Sequence, residues 1–106
     1  DVYKRQQDAR VDWSLAAEDV ARRIRAYNPF PGSFCFAGET RIKIWRASAT
    51  GGSGAPGAVL QCDREAVVVA CGDGALRLDE VQFPGKRRVA AQEFAGQLDL
   101  TGQRLD

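Results

Sequence analysis

Histidine and methionine are both absent from the 106 residues of this chain. Without histidine, the chain lacks the commonest general base, the commonest metal ligand and any serine–histidine or cysteine–histidine nucleophile pair. Without methionine it lacks its own start, which indicates a piece of a longer protein. No apolar run reaches the ~18–20 residues of a membrane helix, and no signal peptide opens the chain. These absences argue against a self-contained enzyme, against secretion and against membrane spanning.

Cysteine is scarce and is spaced neither for zinc nor for a disulfide framework. Cys35, Cys62 and Cys71 are odd in number, and no two of them form a C-x-x-C pair. This usage is typical of a reduced, cytosol-like compartment. We predict that all three thiols are buried as small hydrophobic side chains, and we assign no catalytic residue, cofactor site or metal site to this chain.

The charged residues are unevenly distributed although the net charge is only +1. Between residues 20 and 46, six cationic residues stand against the single acid Glu39, and Lys86–Arg88 forms a second basic cluster. Acidic residues collect between positions 63 and 80. Separate basic and acidic regions are able to steer a polyanion toward one face of the domain. The alternative is that these charges form an ordinary solvated surface of mixed sign.

An amphipathic helix is predicted near the start of the chain. Ser14 is a suitable N-cap, and Pro29 ends the helix because Asn28 before it is pushed out of the helical region. The apolar stripe recurs at helical spacing; its members are Ala17, Val20, Ala21, Ile24 and Tyr27.

The rest of the chain favours short strands. Thr40–Arg46 alternates between two faces, and further strands are predicted at Ala58–Cys62, Ala66–Cys71 and Ala75–Phe83. A short helix is predicted at Val89–Ala95. We therefore expect a mainly β fold, a small OB-like β-barrel with a leading amphipathic helix and a short C-terminal helix. Residues 9–106 form this domain, and residues 1–8 are a linker or a non-native end.

Two motifs deserve a functional interpretation. Gly52–Gly57 matches G-x-G-x-x-G, but it leads into a strand rather than a helix, so we reject dinucleotide binding. On one face of the predicted strand, Arg41 and Lys43 accompany Trp45, a pattern able to hold phosphates and stack bases. The alternative is that Trp45 packs on another element while its neighbours are solvated.

Several segments in order resemble the C-terminal domain of the methionyl-tRNA formyltransferases. The resemblance runs from about Ala9 to Leu105. It is carried by Ala9–Trp13, Ile24–Gly32, Ile42–Ala47, Ala55–Gly57, Val69–Gly74 and Pro84–Arg87.

This resemblance implies an OB-like barrel that follows a Rossmann-like catalytic domain in the same chain. The whole enzyme would transfer a formyl group from 10-formyltetrahydrofolate to methionyl initiator tRNA, in the bacterial cytoplasm or an organelle matrix. The catalytic and folate-binding residues lie in the other domain, so none is carried over. Initiator methionyl-tRNA and the catalytic domain are the implied partners, and no membrane is implied. Together with the strand face and the basic turn, the resemblance gives a tRNA-binding set of Arg25, Arg41, Lys43, Lys86, Arg87 and Arg88.

Two other functions stay open at this point. A scaffold domain of a related formyltetrahydrofolate-using enzyme would complete a small-molecule cleft, and its cations would be dispersed over the surface. An independent binder of single-stranded nucleic acid would need Trp45 exposed for stacking.

Overall fold

A computed structural model of the chain describes residues 9–28, 32–95, 100 and 102–106. The expectations for residues 1–8 and for Pro29 as the helix stop lie outside these described residues. In the described part of the chain, the elements follow the order α1 (Ala17–Tyr27), β1 (Ser33–Ala37), β2 (Thr40–Thr50), β3 (Val59–Cys62), β4 (Val67–Ala70), β5 (Ala75–Gln82), β6 (Val89–Ala90) and α2 (Ala91–Ala95).

The strands form one antiparallel sheet in the order β1-β2-β5-β4-β3, with β6 added beside β5. The sheet curls into a half-barrel, which confirms the mainly β class with a leading helix and a short terminal helix. The predicted helix at Val89–Ala95 is wrong in its first residues. Val89 and Ala90 pair with Val81 and Glu80, so the helix begins only at Ala91.

The C-terminal residues link the two outer strands of the curled sheet. Asp106 exchanges two backbone hydrogen bonds with Phe36 of β1, at 2.7 and 2.9 Å. On the other side, the Val59 N–H donates to the Gln103 carbonyl at 2.8 Å, and the Leu105 N–H donates to the Gly57 carbonyl at 2.7 Å. The tail thereby satisfies edge groups of β1 and β3 that would otherwise be unpaired.

The core lies between the concave side of the sheet and α1. Ile42 and Ile44 of β2 point into it and are almost fully buried, as their alternation predicts. From the helix the core receives Ala17, Val20, Ala21 and Ile24, four of the five residues of the predicted stripe.

The N-terminus of α1 differs from the prediction. The N-cap is Ala16, not Ser14, and no side chain caps it. The first helical N–H, that of Ala17, donates to the carbonyl of Asp73 in the β4–β5 turn at 2.8 Å. Ser14 is engaged elsewhere, because both its N–H and its hydroxyl donate to the Asp12 carboxylate. The helix therefore starts where another element supplies an acceptor, two residues later than the predicted N-cap implies.

All three cysteines are buried, as predicted. Burial raises the pKa of Cys35 to about 12 and that of Cys71 to about 11, above the ordinary 9.0. Neither thiol is therefore a thiolate nucleophile near neutral pH.

The raised thiol pKa of Cys35 makes stability depend on alkaline pH. Below pH 9.0 the thiol is protonated in both states; between 9.0 and about 12 only the unfolded chain loses the proton. We expect the free energy of unfolding to fall as pH rises through this window, by at most ~1.4 kcal/mol per pH unit for this thiol. Urea unfolding at pH 8, 9 and 10 measures it. At pH 8 the free energy of unfolding of Cys35→Ala should differ from that of the wild type by a constant amount. Above pH 9 it should decline less steeply than that of the wild type, and parallel declines would contradict the assignment.

Candidate nucleic-acid interface

The outward face of β2 places each of its first two cations over an aromatic ring. The Arg41 guanidinium carbon lies 4.1 Å from the centroid of the Phe34 ring on β1. The Lys43 Nζ lies 4.1 Å from the centroid of the Trp45 ring on the same strand. Cation–ring contacts of this kind are worth ~0.5–1 kcal/mol at exposed sites, so they favour these positions of the two charges on the sheet.

A bulge sets the orientation of Trp45. In the β2–β5 ladder Ile44 pairs with Val81 and Arg46 pairs with Glu80, which leaves Trp45 without a partner residue. The Trp45 carbonyl instead accepts a hydrogen bond from Nδ2 of Asn28 at 3.1 Å. The C-cap of α1 is thus joined to the bulge, and the half-buried indole is held from its backbone side.

The loop between β5 and β6 brings the second basic cluster to the same place. We call residues 83–88 the basic turn. Its Lys86 N–H donates to the Phe83 carbonyl at 3.1 Å, and Gly85 has a φ of +72°, a value that favours glycine. The Arg88 guanidinium carbon lies 4.7 Å from the centroid of the Trp45 ring, which Lys43 also approaches. Charges more than 40 residues apart in sequence therefore meet at one indole.

A cleft of about 300 Å³ opens between the strands and this turn. Its strand side is lined by Gly32–Phe34, Arg41 and Lys43, and its turn side by Gln82–Gly85; we call it the basic cleft. No aspartate or glutamate lines it. An open cleft with two cations and no acid is suited to an anionic group such as a phosphate.

Gly32 makes room for the lysine of the basic cleft. A Cβ at this position would lie 2.5 Å from Lys43 Cε, and the backbone φ is +83°. The positive φ favours glycine here, and any side chain would in addition displace the end of Lys43 from its present position. Gly32 therefore has a direct consequence for the placement of Lys43.

Comparison with known proteins decides the family. The family model for the formyl transferase C-terminal domain matches residues 4–98. The chain belongs to this family. Methionyl-tRNA formyltransferase of Chromobacterium violaceum is 48% identical over 99 residues, which cover 92% of this chain and 32% of that protein. The enzyme of the same name from Methylibium petroleiphilum is 51% identical over 88 residues, 82% of this chain and 28% of that protein. The chain thus spans about a third of these relatives.

Solved structures confirm the fold of this formyl transferase C-terminal domain. HypX from Aquifex aeolicus, solved in complex with tetrahydrofolic acid, superposes with a TM-score of 0.72 at 22% identity. The match covers 92% of this chain and 18% of HypX. At this identity the likeness concerns the fold alone.

The structure divides the six predicted tRNA-binding residues by their partners. Arg88 Nε forms an ion pair with Glu80 Oε1 at 2.9 Å, and Arg87 lies 3.8 Å from the Glu93 carboxylate. The other four make no ion pair among the described residues: Arg25, Arg41, Lys43 and Lys86. These four keep their full charge available to an external anion.

Arg25 stands apart from the other predicted residues. It lies exposed in the last turn of α1 and does not line the basic cleft. Its backbone carbonyl accepts the N–H of Asn28 at 3.4 Å. Asn28, at the end of the same helix, hydrogen bonds to the Trp45 carbonyl. Among the described residues, no contact joins the Arg25 side chain to the other cations.

Sequence reasoning missed three residues of this site. Phe34 carries the Arg41 guanidinium, Glu80 binds Arg88, and Gln82 hydrogen bonds to the Trp45 indole across 37 positions. No local pattern marks any of them, because each owes its role to a strand pairing.

The described residues contain no group of three or more His, Cys, Asp or Glu side chains placed to hold a metal ion. No helix in the described ranges is long and apolar enough to cross a membrane. The Gly52–Gly57 segment is a loop that leads into β3, as predicted, and opens no helix.

Proposed function

We propose that this chain is the C-terminal domain of a methionyl-tRNA formyltransferase and that it docks the tRNA. The observation that carries the proposal is the basic cleft, where Arg41 and Lys43 meet the turn that bears Lys86. The curated relatives of this name, at 48 and 51% identity, support the same assignment. In this proposal the chain acts where initiator tRNA is used, in the bacterial cytoplasm or an organelle matrix.

The cations act on the RNA backbone rather than on base edges. Lysine and arginine replace counterions condensed on the phosphates, which gives affinity without reading sequence. Arg41 and Lys43 are held over rings before RNA arrives, so little side-chain freedom is lost on binding. Docking of the tRNA body would then orient its aminoacyl end toward the catalytic domain.

The formyl donor, 10-formyltetrahydrofolate, belongs to the catalytic domain in this proposal. The basic cleft is open to solvent and carries two cations on its strand side, which does not fit a pteridine ring that needs enclosure. We therefore derive no step through the folate in this chain.

The arrangement of the cations separates this proposal from its two rivals. A scaffold domain predicts dispersed cations, whereas Arg41 and Lys43 line one cleft, and Lys43 and Arg88 share one indole. Lys86 lies on the turn that forms the other side of that cleft. A single-strand binder needs an open stacking platform. Trp45 is half-buried with two cationic groups over its ring and its N–H bonded, which disfavours base stacking there.

The proposal is tested by titrating the chain with initiator tRNA at 50 and 200 mM salt. Four phosphate contacts would lower the affinity roughly 50- to 150-fold between these salt concentrations. An unstructured RNA of equal length is the control, and we expect it to bind more weakly. Equal affinity for both RNAs would favour the single-strand binder, and absence of binding at 50 mM salt would favour the scaffold domain.

Glu80 lowers the positive charge available to RNA near the basic turn, because its carboxylate binds Arg88 at 2.9 Å and lies 3.7 Å from Arg46. We expect Glu80→Gln to tighten tRNA binding roughly two- to threefold at low salt, and to steepen the salt slope by up to ~0.9 if Arg88 gains a phosphate. The matched control is Glu18→Gln, which removes the same charge from the first turn of α1. If both variants tightened binding equally, only net charge would be at work.

A further inference from the structure

Gln82 joins the indole of β2 to the basic turn through both ends of its carboxamide. The Trp45 Nε1–H donates to Gln82 Oε1 at 2.9 Å. In the other direction, Gln82 Nε2 donates to the carbonyl of Lys86 at 2.8 Å. We call this pair of hydrogen bonds the Gln82 bridge.

The strand side of the bridge is fixed independently of the turn. Trp45 lies in the bulge of β2, and Asn28 binds its carbonyl at 3.1 Å. Gln82 is the last residue of β5 and pairs with Lys43 in the ladder. The indole and the carboxamide therefore belong to the sheet and not to the loop.

The turn side has few attachments of its own. Residues 84–88 are all exposed. Besides the Gln82 bridge, the backbone bond from Lys86 to Phe83 closes the turn at 3.1 Å, and Phe83 packs against the core. At the other end of the turn, Arg87 lies 3.8 Å from the Glu93 carboxylate, and Arg88 is held by Glu80 and the indole. Between these two ends, the exposed tip at Lys86 is held by few bonds and opens at low cost in free energy, so the hydrogen bond from Gln82 has a large effect on its shape.

We propose that Gln82 is a positioning residue that holds the basic turn in its RNA-binding shape. Through the bridge, the carboxamide fixes Lys86 relative to Lys43 on the neighbouring strand before RNA binds. Because the ordering cost is met in the free protein, each phosphate contact yields more affinity. The inference rests on the proposed tRNA docking, but it assigns a role to an uncharged residue that touches no phosphate in this account.

The chemistry requires an amide at this position. Glutamine accepts from the indole and donates to a carbonyl at the same time, whereas a leucine of similar size does neither. On the other side of the bridge, Trp45→Phe removes the N–H donor and keeps a ring under the cations. The two substitutions therefore break one shared hydrogen bond from its two ends.

A double-mutant cycle tests the bridge in the full chain. Gln82→Leu, Trp45→Phe and the double variant are titrated with initiator tRNA at several salt concentrations. We expect Gln82→Leu to weaken binding roughly three- to tenfold, the range that one or two modest hydrogen bonds allow. The double variant should bind no more than about twofold more weakly than the weaker single variant, because the bridge is already broken.

Two readouts distinguish positioning from general destabilisation. The salt slope of Gln82→Leu should equal that of the wild type, whereas Lys86→Gln should lower the slope by ~0.7–0.9. The Lys86 amide should exchange with solvent faster in Gln82→Leu, since its bond to Phe83 closes the same turn. The matched control is Gln61→Leu, which removes a glutamine bonded to Asp63 at 3.2 and 3.1 Å in another part of the sheet.

The outcomes separate this inference from the proposed function. Wild-type affinity in Gln82→Leu, or losses that simply add in the double variant, would overturn the bridge while leaving tRNA docking intact. A loss equal to that of Gln61→Leu would also overturn it. If the wild-type chain failed to bind tRNA, the proposed function would fall and this inference with it.

Discussion

The double charge reversal Arg41→Glu with Lys86→Glu should lower the affinity for initiator tRNA on the order of 100-fold at low salt. Both residues are exposed, and neither forms an ion pair among the described residues. Losing two phosphate contacts should also reduce the salt slope by about 1.4–1.8. Because one residue lies on β2 and the other on the basic turn, the variant reverses the charge on the strand side of the basic cleft and on the turn beside it.

The matched control is Arg64→Glu with Arg104→Glu. These arginines are exposed, lie outside both the basic cleft and the basic turn, and change the net charge by the same amount. We expect a loss of no more than a few-fold, from long-range repulsion. Equal losses in the two double variants would show that affinity follows net charge and not the cleft. Thermal unfolding of each variant verifies that the fold is kept.

The largest effect on stability is expected for Gly72→Ala. A Cβ at position 72 would lie 1.9 Å from the Ser14 carbonyl oxygen and 2.7 Å from its carbon. Both neighbours are backbone atoms, and the Gly72 N–H donates to the Leu15 carbonyl at 3.0 Å, so the segment before α1 cannot move away freely. We expect a loss of about 3 kcal/mol or more, measured as a Tm lowered by roughly 10–20 °C for a domain of this size.

Gly51→Ala is the control for that substitution. No heavy atom lies within 4 Å of a Cβ at position 51, and its φ is outside the range that favours glycine. We expect a gain of ~0.4–1 kcal/mol from the stiffer unfolded chain. A Tm for Gly72→Ala within a few degrees of the wild type would mean that the segment before α1 does not pack against the β4–β5 turn.

Strands with clear alternation were predictable, and strands shaped by their partners were not. The alternation of Ile42 and Ile44 predicts the first half of β2, but Ala47–Thr50 carry no such pattern. Those four residues are extended because they pair with Ala75–Leu78 of β5. Likewise β1 (Ser33–Ala37) has no local signal strong enough to predict it, and its hairpin register with Thr40–Ile44 defines it.

The candidate site was predictable as a set of charges but not as an arrangement. Alternation placed Arg41, Lys43 and Trp45 on one face of β2, which the structure confirms. The ion pair of Arg88 with Glu80 could not be foreseen, because β6 was expected to be helical and its pairing with β5 sets that distance. The Gln82 bridge depends in addition on the bulge at Trp45, which only the ladder reveals.

The most direct measurement of the central claim is formylation by a chimera. Residues 9–106 of this chain would replace the matching region of the Chromobacterium violaceum methionyl-tRNA formyltransferase. We predict kcat/KM for methionyl-tRNA within roughly tenfold of the parent enzyme, and a raised KM when the chimera carries Arg41→Glu with Lys86→Glu. A folded chimera that does not formylate methionyl-tRNA would contradict the account, and so would a chimera whose KM is unchanged by the double charge reversal.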